Sequence, residues 1–196
     1  LLETKVVLEG ITVGGKALRE HFEAINHRNA IYYVEDIIKK EESFSEWQIR
    51  NIHQLILKNI DDDNAGRYRQ QNVLISGATS TPPDYTLLND KMAQFVDWYN
   101  TEAYLMHPIE RVAKVHADFV GIHPFIDGNG CISRLLLNLE LLKAGYPPCV
   151  ITVENYLAYH EALDQWMAYG KTKPFIQLVA DAVLEGFKPY QVVIGL

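Results

Sequence analysis

A chain of 196 residues, 48% apolar and 22% charged, is long enough to bury a sizeable core as one domain. Its net charge of −7 argues against a nucleic-acid partner, because phosphate backbones are met by basic surfaces. Two cysteines, Cys131 and Cys149, are too few for a disulfide framework, and no apolar run reaches bilayer length, so a cytoplasmic protein without membrane partners is expected.

The opening residues, Leu1 to Leu8, read as the middle of an amphipathic helix with no cap before it, which predicts a preceding N-terminal segment; Gly10 can end this helix. Gly14 and Gly15 punctuate a turn, and a long helix is predicted over 16–41 from the spacing of Leu18, Phe22, Ile25, Ala30, Val34, Ile37 and Ile38. His21 and His27 stand six apart in it, a spacing that does not share a face, so both are assigned to a solvated helix surface. Ser45 and Gln48 form a capping box for a helix carrying Ile49, Ile52, Leu55, Ile56 and Ile60. The run Asp61-Asp62-Asp63-Asn64 lacks the glycine and closing glutamate of a calcium loop and reads as a solvated turn.

Asn72 to Ser76, then Gly77 to Thr81 before Pro82-Pro83, predicts a short β-hairpin, either a substrate-handling element or a structural connector. Helices are then predicted over 85–101, 107–122 with Pro108 in its first turn, from Gly130 to Lys143, and over 153–169 and 173–188. His116 lies on an apolar face and reads as a hydrogen-bonded core histidine. With no repeats and no linker, the prediction is a single all-α domain, 1–196, with one hairpin.

The chemistry concentrates in His123-Pro124-Phe125-Ile126-Asp127-Gly128-Asn129-Gly130-Cys131-Ile132-Ser133-Arg134, just before the apolar run Leu135 to Leu142. A glycine-rich turn feeding a helix start leaves backbone N–H groups for an anion. His123, kept from continuing its helix by Pro124, can take a proton near neutral pH. Phe125 is expected to anchor the loop inward. Asp127 is the lone carboxylate, suited to Mg²⁺ beside phosphates. Gly128 and Gly130 allow close backbone approach, Asn129 adds a neutral donor, and Arg134 can return as a fork to a phosphate. Singly, His123 could serve a helix dipole, Asp127 an N-cap and Arg134 a surface ion pair; their order favours a phosphate site.

This stretch resembles the signature of Fic domains, His-Pro-Phe-x-Asp/Glu-Gly-Asn-Gly-Arg-x-x-Arg. Gly66-Arg67-Tyr68-Arg69, the hairpin to Pro82-Pro83, and Asn138-Leu139 through Gly145-Tyr146-Pro147 are also similar to that family, so the resemblance covers nearly the whole chain. It implies a compact helical enzyme that transfers AMP from ATP to a Ser, Thr or Tyr hydroxyl of a target protein. By position, His123 is the implied base and Asp127 the implied ligand of Mg²⁺ (or Mn²⁺). Gly128, Asn129 and Gly130 are the implied anion hole, and Arg134 the implied contact to the terminal phosphate. The segment Val73, Leu74, Ile75, Ser76, Gly77, Ala78, Thr79, Ser80 and Thr81 resembles the family's flap, which aligns a target segment by backbone pairing. Tyr159 and His160 fall where the family has aromatic residues beside the adenine. The implied partners are ATP and a target protein, with self-modification and homo-oligomer formation left open.

Two departures stand out. Cys131 occupies the place of the first arginine of the signature, and a thiol does not replace a guanidinium fork. Leu8-Glu9-Gly10 is similar to the end of the family's inhibitory Ser/Thr-x-x-x-Glu-Gly/Asn motif, but residue 5 is lysine, which places that motif in the expected preceding segment. Removal of AMP by the same site, and a weakened nucleotide-binding or interaction module, are the alternative readings. Gly130, where a kinase-like branch has lysine, argues against that branch.

Overall fold

The computed structural model describes residues 2–9, 12–40 and 42–194; the predicted stop at Gly10 and the last residue of the second predicted helix, Glu41, lie outside them. Among the described residues eight α-helices follow one another: α1 (Leu2–Leu8), α2 (Leu18–Lys39), α3 (Glu46–Leu57), α4 (Leu88–Thr101), α5 (Pro108–Ile122), α6 (Asn129–Lys143), α7 (Tyr156–Tyr169) and α8 (Lys173–Ile194). Most starts have a visible cause. Ser45 Oγ accepts from Gln48 N–H while Gln48 Oε1 takes Ser45 N–H, the reciprocal cap that opens α3. Glu20 reaches back to Ala17 N–H at 2.8 Å at the head of α2. Pro108 occupies the first turn of α5, where its missing donor costs nothing. The last helix runs past the predicted end at Lys188, through Pro189. Lys188, Pro189 and Tyr190 are exposed, so water can serve a carbonyl left without its helical partner.

α5 and α6 are the most extensively packed pair, and more than half of the residues of each are buried, as in central helices. One face of the pair meets α2, α3 and α4 through Ile37, Ile52, Met92, Phe119, Ile132 and Leu136. The other meets α7 and α8 through Val112, Ala113, Leu137, Leu141, Leu163, Phe175 and Val179. Each fully buried Leu, Ile or Phe contributes about 1.5–3 kcal/mol. The two cores therefore fix the six-residue connection between α5 and α6, residues 123–128, from both sides.

Three expectations are corrected. The hairpin does not form: no strand occurs among the described residues, and 71–84 is a loop of turns and extended backbone. No neighbouring strand offers a ladder, and an isolated hairpin is marginal. Instead Asn72 ties the loop's ends together, its amide donating to Asp84 (2.8 Å) and accepting from Tyr85 N–H (2.9 Å). At the tip a turn closes through Ala78 N–H to Ile75 O with Gly77 at φ 78°. Second, His21 is buried, not solvated: it donates through Nδ1 to Ala17 O and accepts from Val13 N–H, both at 2.9 Å, holding the turn before α2 against the helix. Third, His27 is half-buried, its Nδ1 3.3 Å from Cys131 Sγ. No helix among the described residues is long and apolar enough to cross a membrane.

Candidate functional site

α5 ends on His123, which caps it in the left-handed region (φ 50°, ψ 58°). A residue with a Cβ holds that conformation only when its surroundings insist. Here they do. The Arg69 backbone N–H donates to Pro124 O at 2.9 Å, and Arg69 Nε donates to His123 O at 2.9 Å. The same guanidinium donates to Gln71 O (2.9 Å) and Pro83 O (2.6 Å), so one arginine, 3% exposed, ties the turn after α5 to both ends of the 71–84 loop. His123 Nδ1 donates to Val120 O at 3.2 Å, since a carbonyl can only accept; Nε2 therefore keeps its lone pair. Burial, with the Arg69 charge nearby, holds the His123 pKa below its ordinary value, so the imidazole is neutral at pH 7.

The rest of the turn is built around Phe125, fully buried as expected and stacked on His53 with ring centroids 3.7 Å apart. His53 accepts the Gly66 N–H on Nδ1 (2.9 Å), so Nε2 carries the proton and donates to Asp127 O (3.1 Å). Burial pushes its pKa down to about 4. Asn129 Oδ1 accepts Phe125 N–H (3.0 Å) and its Nδ2 donates to Phe125 O (2.8 Å). That side chain, 2% exposed, is consumed inside the turn. What Asn129 offers a ligand is its backbone N–H, not the side-chain donor read from the sequence.

Gly128 caps α6 at φ 80°, and a Cβ there would lie 3.4 Å from the His53 ring. Gly130 opens the first turn, where backbone N–H groups have no intrahelical partner and the dipole favours anions. A Cβ at Gly130 would sit 3.4 Å from Arg134 Nη1, so the guanidinium folds back over the helix start, above that glycine. Asp127 is exposed at the lip of the turn. Its Oδ1 accepts Gly128 N–H at 2.7 Å and its Oδ2 receives Arg19 Nη2 from α2 at 3.1 Å.

His123, Gly130 and Arg134 share the wall of a cavity of about 800 Å³, the size of a nucleotide-scale site. Tyr159 and His160 line it as well, but differently. Tyr159 is 6% exposed with its hydroxyl 2.8 Å from His116 Nε2, whereas His160 is exposed and meets Tyr156 edge-on at 4.3 Å. His116 is thus the hydrogen-bonded core histidine expected. Ile75, Ser76, Gly77 and Ala78 of the loop form the facing wall. Thr79 and Ser80 turn their N–H groups to Asp164 instead, at 2.6 and 3.4 Å; the Thr79 hydroxyl first, and then these N–H groups, hold the Asp164 pKa below the usual carboxylate range. Ser80 and Thr81 border a separate groove with Trp98 and Trp166. Leu74 is exposed, Val73 is half-buried, and neither lines the cavity. Cys131 faces α2, not the cavity.

Sequence reasoning missed Arg69, His53, Arg19 and Tyr156. Arg69 lay inside a stretch already singled out, and its role was signalled by an arginine with no acid nearby in sequence. His53 carried no local signal, because its partners lie thirteen and seventy-four residues away.

A family model described as the Fic/DOC family matches residues 43–141. The chain is 37% identical over 182 residues to protein adenylyltransferase fic-1 of Caenorhabditis briggsae, covering 91% of this chain and 35% of that protein. It is 38% identical over 182 residues to protein adenylyltransferase Fic of Nematostella vectensis, covering 92% of this chain and 41% of that one. It therefore spans well under half the length of these curated relatives. The solved structure of Fic-1 from C. elegans matches with a TM-score of 0.87 at 33% identity, covering 98% of this chain and 57% of that chain. The shared fold, the intact motif turn and a family match over half the residues agree, and this chain belongs to the Fic/DOC family.

Proposed function

We propose that this domain transfers AMP from ATP to a hydroxyl side chain of a target protein and releases pyrophosphate. The observation that carries the reading is His123. Its Nδ1 is spent on Val120 O, its Nε2 keeps a lone pair, and it shares one cavity wall with the helix start at Gly130 and with Arg134. In the proposed step Nε2 takes the hydroxyl proton, the oxygen attacks the α-phosphorus, and the α–β phosphoanhydride bond breaks. The backbone N–H groups of Asn129 and Gly130 cradle the phosphates, that of Gly128 being held by Asp127 Oδ1, and Arg134 holds the terminal one. Positioning and charge neutralisation account for most of such a reaction.

Asp127 is the residue that fits Mg²⁺ (or Mn²⁺). No group of three or more His, Cys, Asp or Glu side chains forms a metal cage among the described residues. A single exposed carboxylate beside phosphates matches how Mg²⁺ is held. When bound, the ion neutralises phosphate charge; Asp127 supplies one oxygen once Arg19 yields it. Tyr159, His160 and Tyr156 form an aromatic wall for the adenine. The loop 73–81 presents backbone without a strand partner, and its Ile75–Ala78 part borders the cavity, which supports a role in seating the target segment.

Incubation with Mg²⁺ and ATP labelled on the α-phosphate tests this. Label should appear on protein, the domain itself or lysate proteins, and vanish in His123→Ala, since a general base is worth roughly 10²–10⁴-fold. ATP binding without protein label under any condition would sink the proposal.

A further inference from the structure

The signature is one cation short at Cys131, and α2 carries a row of polar side chains beside that gap. Arg19, Glu23 and His27 stand four residues apart and therefore share one face of the helix. At one end of the row Arg19 Nη2 meets Asp127 Oδ2 at 3.1 Å while its Nε holds Glu23 Oε1 at 2.9 Å. At the other end His27 Nδ1 lies 3.3 Å from Cys131 Sγ. The face of α2 that meets the cysteine thus also sets a guanidinium against the motif turn, two residues from Asn129 and the start of α6.

We propose that Arg19 is the phosphate-binding cation that stands in for the arginine absent at position 131; this rests on the reading of the site as a nucleotide site. A guanidinium is charged at every relevant pH and grips phosphate as a fork, which neither thiol nor ammonium reproduces. Arg19 and Asp127 are each 58% exposed, so their ion pair is of the weak, exchangeable kind. An exchange follows. Once Asp127 turns an oxygen to a metal-bound triphosphate, the guanidinium loses its carboxylate partner while it remains beside the cradle, and the phosphate oxygens become its acceptors. Glu23 keeps Nε and so holds the fork's orientation.

Calorimetric titration with ATP and, separately, adenosine, both with Mg²⁺, distinguishes this role from a structural one. Arg19→Ala is expected to weaken ATP binding by about tenfold or more, the worth of one charge-assisted contact, and to leave adenosine binding unchanged. Adding Cys131→Arg should recover most of the ATP affinity in that background and add little to the otherwise unaltered protein. Lys188→Ala, which removes one exposed charge from α8, should bind ATP as the parent does. Unchanged or tighter ATP binding by Arg19→Ala overturns the proposal, the tighter case marking the ion pair as a block on Asp127. Equal loss of ATP and adenosine, or no recovery with Cys131→Arg, overturns it too. Absence of ATP binding by the parent protein overturns the nucleotide reading as well.

Discussion

Acid should unfasten the motif turn at His53. Its ring accepts Gly66 N–H on Nδ1, donates to Asp127 O from Nε2 and stacks on Phe125. A second proton must go on Nδ1, where it would face a donor, and burial already holds the pKa at about 4 against an ordinary value of 6.5. Between those values the unfolded chain binds a proton that the folded chain refuses. Stability therefore falls as pH falls from 6.5 to 4, by about 1.4 kcal/mol per pH unit and roughly 3 kcal/mol in all. His116, buried with a pKa pushed down to about 3, adds in the same direction. His53→Phe keeps a ring against Phe125 and loses both hydrogen bonds, a cost of about 1–3 kcal/mol at pH 7, but it carries no proton. The gap between parent and variant should narrow below pH 6.5 and close near pH 5. Urea titrations from pH 7.5 to 4 measure it, and the carboxylates common to both proteins cancel in the difference. Parallel curves across that range would refute the tautomer and the burial argument together.

Two neighbouring glycines should respond with opposite signs. Gly130→Ala replaces a first-turn glycine of α6 at an ordinary φ, so the fold gains up to about 1 kcal/mol, while the added methyl, in contact with Arg134 Nη1, crowds the helix start where phosphate would sit and weakens ATP binding; thermal melts and ATP titration read the two effects separately. Gly128→Ala forces φ 80° on a residue with a Cβ, while the methyl itself only touches the His53 ring, so the backbone strain destabilises by about 1–2 kcal/mol. Arg69→Lys keeps the charge but reaches one carbonyl where the guanidinium reaches three. It should lower stability by about 2–3 kcal/mol and depress kcat more than KM for ATP, because His123 loses the contact that holds its left-handed backbone. Equal stability in a urea titration would show that the three carbonyls are served by water.

The sequence made legible those features whose physics is local. Caps, proline positions and apolar spacing mark the helices within a few residues, and the order of side chains from His123 to Arg134 singles out the candidate site. Where the reading failed, the deciding partner was distant or missing. The loop 71–84 has β-branched and turn residues in a hairpin's order, yet a strand is defined by its neighbour, and here the available partners were Asn72 at the base and the Asp164 carboxylate from α7. His21 and His27 were judged against each other as a pair, whereas each is paired elsewhere, with Val13 and Ala17 in one case and with Cys131 in the other. Asn129 shows the same limit inside the motif, for its residue type suits a ligand contact equally well, and only the fold reveals that Phe125 has already claimed its amide.

That limit bears on Cys131. Taken along the chain, an arginine replaced by cysteine reads as lost charge, because a linear motif counts only its own positions. A phosphate responds to charge at a distance and is indifferent to which helix supplies it. α2 brings Arg19 to hydrogen-bonding distance of Asp127 across 108 residues of sequence. On the proposed role of Arg19, the charge of the candidate site is a property of the contact between α2 and the turn before α6, and the signature alone underestimates it.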